Sequence, residues 1–396
     1  MSKGQYNALS ARKFPQIGLG TRAWAHVSSC VAASHEVTAK ELSCALRAGK
    51  HDLLGRRRTL RTSRLVRPEK SGTMFRAGWT IFCGCAVLIA VLAWTCITNP
   101  IPKASGPMAT EKVSPLRLEK HVRMLAQTFF PRDASHPENL LRAADYIRSE
   151  FHRAQGNVSD QCYEIRQKTY CNIIARFGPD TKERVVVGAH YDAFGELPGA
   201  DDNASGVAGL IELSHLLAQS VPSVQVELVA YTLEELPHFG TQTTGSAVHA
   251  NSLRRKGIPV RLMISLEMIG YFNDAEESQR FPFSILKLFY PSRGNFIVVV
   301  GNLFQWGITR RVKESMHAAT PLPVYSINAP SFVPGVDWSD HRYYWQAGYP
   351  ALMITDTAFY RNPNYHTAKD TPDTLDYERM AIVVKAVFTA ILALAR

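Results

Sequence analysis

The sequence contains few cysteines, and none of them are spaced to bind a metal as a pair. Seven cysteines occur among 396 residues, and no two form a Cys-x-x-Cys motif. A zinc ribbon or a thioredoxin-like redox site is therefore excluded. Any metal site in this chain has to use histidine and carboxylate side chains.

The part of the chain from residue 113 onward has two of these cysteines, Cys162 and Cys171, at the ends of the segment CYEIRQKTYC. This segment is typical of two short strands around a turn at Arg166-Gln167, which would place the cysteines opposite each other. An oxidising compartment would favour a disulfide between them. Two buried thiols remain the alternative.

The folded part of the chain has no excess of positive charge. The formal net charge is +11, but residues 1–76 hold fifteen of the 45 basic and four of the 34 acidic residues, which leaves thirty of each in 77–396. A nucleic-acid-binding groove needs its basic excess on the folded domain. We therefore expect no nucleic-acid partner, and we predict that residues 1–73 are a basic, disordered leader.

One uncharged run of 21 residues, Ala77–Ile97, is long enough to span a bilayer. Arginines are concentrated in the flank before it, and the flank directly after it, TNPIPKASGPM, is nearly uncharged. The positive-inside rule therefore places the rest of the chain outside the cytoplasm, in a periplasmic or extracellular space. We predict a transmembrane signal anchor over 74–98 and a stalk rich in Pro, Gly, Ser and Lys over 99–112. A cleaved signal peptide and a buried core helix are the alternatives.

From residue 113 onward, apolar strand-like runs alternate with segments of helical periodicity. Strands are predicted at Cys171–Phe177, Arg184–Gly188, Val224–Thr232, Leu262–Leu266, Phe296–Val300 and Ala351–Ile354. Helices are predicted at Pro115–Phe130, Pro137–Gln155, Ala204–Ala218, Gly245–Arg255, Trp306–Ala318 and Tyr377–Ala395. This alternation predicts an α/β domain over 113–396 with a mixed, largely parallel central sheet flanked by helices.

Histidine and acidic residues follow several of these strands, where ligands gather in open α/β sheets. His190 ends one strand, and Asp192 follows it on the same side, where its carboxylate can hold the other ring nitrogen of that histidine. The loop then leads to Asp201-Asp202-Asn203 at the start of a helix. Each motif alone is common on protein surfaces.

Three further segments complete the set of ligand-type residues. The strand ELVAYTLEEL finishes in Glu234 and Glu235, whose side chains point in different directions, so one can bind metal and the other can act as a base. Glu267 is a single acid within an apolar strand, and Tyr365-His366 lies in a loop before the last helix. Two imidazoles and several carboxylates from separate strand ends predict a zinc site, with two metals expected.

These motifs, taken together over residues 113–396, resemble the di-zinc aminopeptidase family, whose relatives include glutamate carboxypeptidase, glutaminyl cyclase and the transferrin receptor ectodomain. HYD, GADDNASG, EE, LEMIG, SDH and NYHTAKDTPDTLD occur in the family's order and spacing. The resemblance implies a zinc exopeptidase fold, a peptide substrate and two zinc ions per chain.

The resemblance also implies a role for each matching residue. One zinc would be held by His190, Asp201 and Glu267, and the other by Asp201, Glu235 and His366, with Asp201 bridging. Glu234 would be the general base, and Asp192, which we expect beside His190, is the second catalytic residue predicted. Tyr365, Asp340 and His341 would lie near the substrate.

Two further points follow from the resemblance. In the family, the peptide bond after the bridging aspartate is often cis. The position of Glu267 is commonly aspartate, and the extra methylene moves this carboxylate without removing a ligand.

An aminopeptidase is the function favoured by this set of residues. A glutaminyl-cyclase-like transferase would work with one zinc, and a non-catalytic ectodomain would not retain every ligand-type residue. A carboxypeptidase also remains open, and its substrate would need a well-placed Arg or Lys.

Overall fold

The computed structural model describes residues 71–101 and 112–396; in the first helix, α1 (Ser71–Thr98), it describes the side chains of 79, 82–88 and 91–98. The chain divides into two units, Met1–Gly72 and Thr73–Arg396, and all the elements after α1 belong to the second. The predicted leader, apart from its last three residues, and most of the predicted stalk lie outside the described residues.

The predicted membrane anchor coincides with α1, which is 28 residues long. Within the described part of the chain, no helix combines the length and the apolar character that a membrane span needs. The membrane anchor and the extracytoplasmic location of the domain stay predictions.

Helices and strands alternate through the rest of the chain. The helices are α2 (Pro115–Arg123), α3 (Pro137–Arg153), α4 (Gly206–Leu217), α5 (Gly245–Arg255), α6 (Trp306–Ala319), α7 (His341–Gln346) and α8 (Tyr377–Leu394). The strands are β1 (Asn157–Ile165), β2 (Lys168–Phe177), β3 (Arg184–His190), β4 (Gln225–Tyr231), β5 (Val260–Glu267), β6 (Ile297–Gly301), β7 (Val324–Asn328) and β8 (Ala351–Thr355). A π-helical turn, Ala200–Ser205, precedes α4.

The eight strands form one mixed sheet in the order β1-β2-β4-β3-β5-β8-β6-β7. Its central strands β4, β3, β5 and β8 are parallel, whereas β2 and β6 run antiparallel to their neighbours in this central group. The α/β class and the mixed sheet flanked by helices are thus as predicted. Because parallel strands point the same way, the carboxyl ends of β3, β4, β5 and β8 meet at one edge of the sheet.

The central strands are buried on both faces, which explains why they read as nearly continuous apolar runs. The main apolar core lies between the sheet and the helices α2, α3, α4, α6 and α8, and a smaller cluster packs below α5 and α7. Side-chain caps define two of the helix starts: Thr244 accepts from the Ala247 amide at 3.3 Å, and Asp376 accepts from that of Arg379 at 2.9 Å.

The hairpin β1–β2 has the predicted register, with Cys162 opposite Cys171 and a turn at Arg166-Gln167. Both turn residues have positive φ, 49° and 65°, as a tight two-residue hairpin turn requires. The two cysteines form a disulfide. Of the two alternatives left open by the sequence, the structure has the bridge.

Candidate metal centre

The acidic and histidine residues predicted from the sequence converge at the edge where the parallel strands end. His190 is the last residue of β3 and pairs with Tyr231 of β4, three residues before Glu234. Glu267 ends β5 and pairs with Thr355 of β8. The sheet register thus places these segments side by side, although up to 165 residues of sequence separate them.

A first group consists of His190, Asp202 and Glu267. The His190 Nε2 atom lies 3.5 Å from Asp202 Oδ1 and 3.3 Å from Glu267 Oε2. The Ser339 hydroxyl donates to the same Glu267 oxygen at 2.8 Å. All three members of the group are buried.

A second group consists of Asp202, Glu235 and His366. The His366 Nε2 atom lies 2.7 Å from Asp202 Oδ2 and 2.9 Å from Glu235 Oε1. The two oxygens of Asp202 therefore face different histidines, Oδ1 toward His190 and Oδ2 toward His366. One carboxylate joins the two groups.

The shared position, predicted for Asp201, is occupied by Asp202 in the structure. Asp201 Oδ1 accepts from the Gly270 amide at 3.0 Å, and its Oδ2 accepts from Asn362 Nδ2 at 2.8 Å. Adjacent side chains of this turn point in opposite directions, so the carboxylate of Asp201 is turned away from both histidines. The cis peptide bond of this segment joins Asp202 and Asn203.

Asp192 orients the two glutamates through their backbone. Its Oδ1 accepts from the Glu234 amide at 3.0 Å, and its Oδ2 accepts from the Glu235 amide at 2.9 Å. Glu234 lies outside both groups, with its Oε2 4.0 Å from His190 Nε2. Of the two glutamates, Glu235 therefore occupies a ligand position and Glu234 stands beside it.

Burial and mutual charge shift the protonation of these side chains. Burial lowers the pKa of His366, but Glu235 and Asp202 outweigh it and raise that pKa to about 9. Burial raises the pKa of Glu234 well above its usual value, and the carboxylates of Glu235 and Glu267 add to this rise. The site thus concentrates carboxylates that are costly to bury without nearby positive charge.

The two groups fit zinc in donor chemistry and in spacing. Zinc in proteins takes imidazole nitrogen and carboxylate oxygen, and with bonds of about 2.0–2.2 Å its tetrahedral ligand atoms lie about 3.3–3.6 Å apart. The first group shows separations of 3.3 and 3.5 Å from His190 Nε2. In the second group the separations from His366 Nε2 are shorter, 2.7 and 2.9 Å, and this nitrogen is hydrogen-bonded to Glu235 Oε1.

An apolar cavity with a volume of about 110 Å³, open to solvent, begins at this site. Glu267 and Tyr365 line its polar end, and the ring of Tyr365 stacks on His366 with 3.7 Å between centroids. The rest of the wall is predominantly apolar and includes Phe281, Leu286, Phe296, Val298, Val300, Ile327, Val333, Trp338, Met353 and Phe359. A bulky apolar group bound here would lie next to the metal ligands.

Asp340 and His341, which the resemblance placed near the substrate, have different surroundings. Asp340 is buried, and desolvation raises its pKa to about 7, with Glu267 and Asp192 among the nearby charges. His341 Nε2 is 2.8 Å from the Val336 carbonyl, and its ring packs edge-on against Trp345. The structure brings Asp340 toward the acidic cluster, whereas His341 is engaged with the backbone and is not in either ligand group.

Two residues outside the predicted set support the site. Asp370 accepts from the amides of Asp201 and Asp202 at 2.9 and 3.1 Å, and thereby fixes the turn that carries the shared carboxylate. Arg132 is completely buried and donates to backbone carbonyls in this region. The segment NYHTAKDTPDTL contained Asp370 but offered no sign of its role, and nothing near Arg132 in the sequence suggested a buried site.

Comparison with known proteins agrees with this geometry. A family model described as peptidase family M28 matches residues 172–391. The chain is 48% identical over 291 residues to the uncharacterised protein YfbL of Escherichia coli K12, covering 72% of this chain and 89% of that protein. The predicted resemblance to di-zinc aminopeptidases is confirmed at the level of the family.

Aminopeptidases occur among the further matches. Leucine aminopeptidase 1 of Blastomyces gilchristii is 26% identical over 226 residues, which cover 53% of this chain and 52% of the fungal protein. The chain therefore aligns with about half of that relative's length. The LapA aminopeptidase of Legionella pneumophila superposes with a TM-score of 0.56 at 20% identity, covering 72% of this chain and 73% of LapA, which shows a shared fold.

Proposed function

Because the chain belongs to peptidase family M28 and is a hydrolase that acts on peptides, we propose that it is a two-zinc aminopeptidase. The observation that carries this proposal is the placement of Asp202. Its two carboxylate oxygens face His190 and His366 separately, so a single side chain can serve two metal ions. A site for one metal would have no use for the second histidine and Glu235.

His190, Asp202 and Glu267 would hold one zinc ion, and Asp202, Glu235 and His366 would hold the other. When bound, zinc would polarise the scissile carbonyl and activate the attacking water. Each group supplies three protein ligands, as in catalytic zinc sites, which keep a position open. The Ser339 hydroxyl keeps the longer side chain of Glu267 in place.

Glu234 is the general base in this proposal. It lies beside the first group without belonging to it, and burial raises its pKa well above the usual value of a glutamate. A carboxylate with a raised pKa takes a proton from the attacking water more readily and can then give it to the leaving amine. Asp192 holds the Glu234 backbone amide, so it positions this base.

The surroundings favour recognition of the amino end of a peptide. Buried acids around the two groups attract an α-ammonium group, and the apolar cavity next to Glu267 offers space for the first side chain. The arginines close in sequence to the motifs are already engaged: Arg361 donates to the Phe296 carbonyl at 2.8 Å, and Arg342 pairs with Asp337 at 3.3 Å. We therefore expect a preference for peptides with a large apolar first residue.

The test uses one peptide with leucine at its amino end in three forms: free, N-acetylated, and amidated at the C-terminus. The zinc-loaded protein should release leucine from the free and amidated forms and leave the acetylated form intact. Arg310, an exposed residue of α6 that is not part of the cavity wall, gives a control, since Arg310→Gln should change kcat/KM by less than about threefold. Cleavage of the acetylated form with loss of activity on the amide would instead identify a carboxypeptidase.

A further inference from the structure

Arg132 occupies an unusual environment for a charged side chain. It is fully buried, and within the described part of the chain its guanidinium forms no ion pair with a carboxylate. Instead it donates to four backbone carbonyls: Tyr191 at 3.0 Å, Leu125 at 3.3 Å, and those of Pro198 and Gly199. A buried arginine that binds only carbonyls has a task other than neutralising one acid.

The carbonyls that it binds belong to the two segments carrying Asp192 and Asp202. Tyr191 directly precedes Asp192, and the amide of Ala193, directly after Asp192, donates to the Arg132 carbonyl at 3.1 Å. Arg132 thus holds the backbone on both sides of Asp192. Asp192 in turn accepts from the amides of Glu234 and Glu235, so Arg132 also acts indirectly on the segment that carries these two glutamates.

The second segment is tied just before the shared carboxylate. Pro198 and Gly199 precede the π-helical turn Ala200–Ser205, in which Asp202 lies. Gly199 has φ of 56°, and a Cβ on it would lie 2.2 Å from the Asp202 carbonyl oxygen, so this backbone is closely packed. The guanidinium spans the gap between the two segments with three different nitrogen atoms.

We propose that Arg132 is a positioning residue that sets the distance between the Asp192 and Asp202 segments and thereby tunes metal affinity. This inference rests on the proposed two-zinc function. The forked shape of the guanidinium is what matters, because one ammonium group cannot reach carbonyls on both segments in the same arrangement. Outer partners of metal ligands of this kind contribute about 10–100-fold to metal affinity.

The test compares the full chain with Arg132→Lys, which keeps the positive charge, and with Arg132→Gln, which removes the charge together with the fork. Zinc dissociation constants are measured by competition with a chelator, kcat and KM are measured separately, and unfolding is followed without metal. Both variants should bind zinc about 10–100-fold more weakly. They should lower kcat with little change in KM, because Arg132 does not line the apolar cavity.

Arg361→Lys is the matched control. Arg361 is also buried and also donates to backbone carbonyls, of Tyr271 and Phe296, but it ties neither of the two segments. The Arg361→Lys variant should be less stable than the original protein, while its zinc dissociation constants stay within about threefold of those of the original protein. If Arg132→Lys does not fold, the measurements on Arg132→Gln decide, since that variant buries no unpaired ammonium group.

The outcomes separate this inference from the proposed function. An original protein that binds no zinc refutes the two-zinc function itself. An original protein that binds two zinc ions, with Arg132 variants that are less stable but bind zinc equally well, refutes the positioning role alone. Equal loss of zinc affinity in Arg361→Lys would also overturn it, because the effect would then belong to any buried arginine.

Discussion

Replacing Asp201 and Asp202 by asparagine, one at a time, distinguishes most sharply between a residue that binds the metals and a residue that only supports the site. Both side chains are completely or almost completely buried, and both substitutions preserve size while removing one charge. The structure places only Asp202 between the two histidines. We therefore expect Asp202→Asn to weaken both zinc sites and Asp201→Asn to leave both in place.

The expected magnitudes differ as well. A four-ligand structural zinc site is worth about 10–16 kcal/mol, so one ligand in four carries roughly 3–4 kcal/mol, or about 10²–10³-fold in affinity. Asp202→Asn should lose this factor at each of the two sites. Asp201→Asn disturbs the hydrogen bonds to Gly270 and Asn362, and a buried polar group left unpaired costs about 1–3 kcal/mol of stability.

The assay measures zinc per chain after dialysis against a chelator of fixed free zinc, together with the free energy of unfolding of the metal-free proteins. Asp202→Asn should retain less than one zinc, and Asp201→Asn should retain two with a lower unfolding free energy. Loss of zinc from Asp201→Asn with retention in Asp202→Asn would refute the assignment of the shared carboxylate.

Three other changes test separate parts of the structure. Glu234→Gln should keep both zinc ions and lower kcat by about 10²–10⁴-fold, the usual contribution of a general base, whereas loss of zinc would make Glu234 a ligand. Ile327→Trp fills part of the cavity and should lower kcat/KM for leucine substrates by roughly tenfold relative to alanine substrates, and an equal effect on both would place the first side chain elsewhere. Glu212 is buried against Arg117 at 2.6 Å; burial opposes its ionisation, but the arginine outweighs this and lowers the pKa to about 2. A carboxylate whose pKa is lowered in the folded state stabilises the fold fully above its unfolded pKa of about 4.5, and this stabilisation is lost as pH falls toward 2. In urea titrations over that pH range, the unfolding free energy of the original protein should therefore fall by about 3 kcal/mol more than that of Glu212→Gln. Parallel dependence of the two free energies on pH would contradict this.

The fold was largely predictable because its strands are buried on both faces and its helices have clear periodicity. Gly245–Arg255 begins and ends where the sequence predicts, and the hairpin register follows from the turn at Arg166-Gln167. Two elements were missed. β7 is as short as β6 and β8, but its sequence VYSIN contains Ser and Asn and is not a continuous apolar run like theirs. α7 has only six residues, too few for a helical period to stand out against the surrounding loops.

The site was predictable in its residue types and less so in its geometry. His190, Glu235 and Glu267 lie at or just after the carboxyl ends of parallel strands, which share one sheet edge, and the loop after β8 brings His366 to the same edge. Asp201 and Asp202 have the same side chain, and their directions depend on the irregular backbone of one turn, which periodicity does not describe. Arg132 acts through contacts 59 to 67 residues away in sequence, and such contacts leave no local pattern.

The most direct test of the two-metal site is anomalous diffraction at the zinc edge from crystals of the zinc-loaded protein. Two peaks per chain are expected, each within about 2.0–2.2 Å of one Asp202 oxygen and one histidine nitrogen, with no zinc bound to Asp201. A single peak, or two peaks that do not share Asp202, would contradict the two-zinc centre.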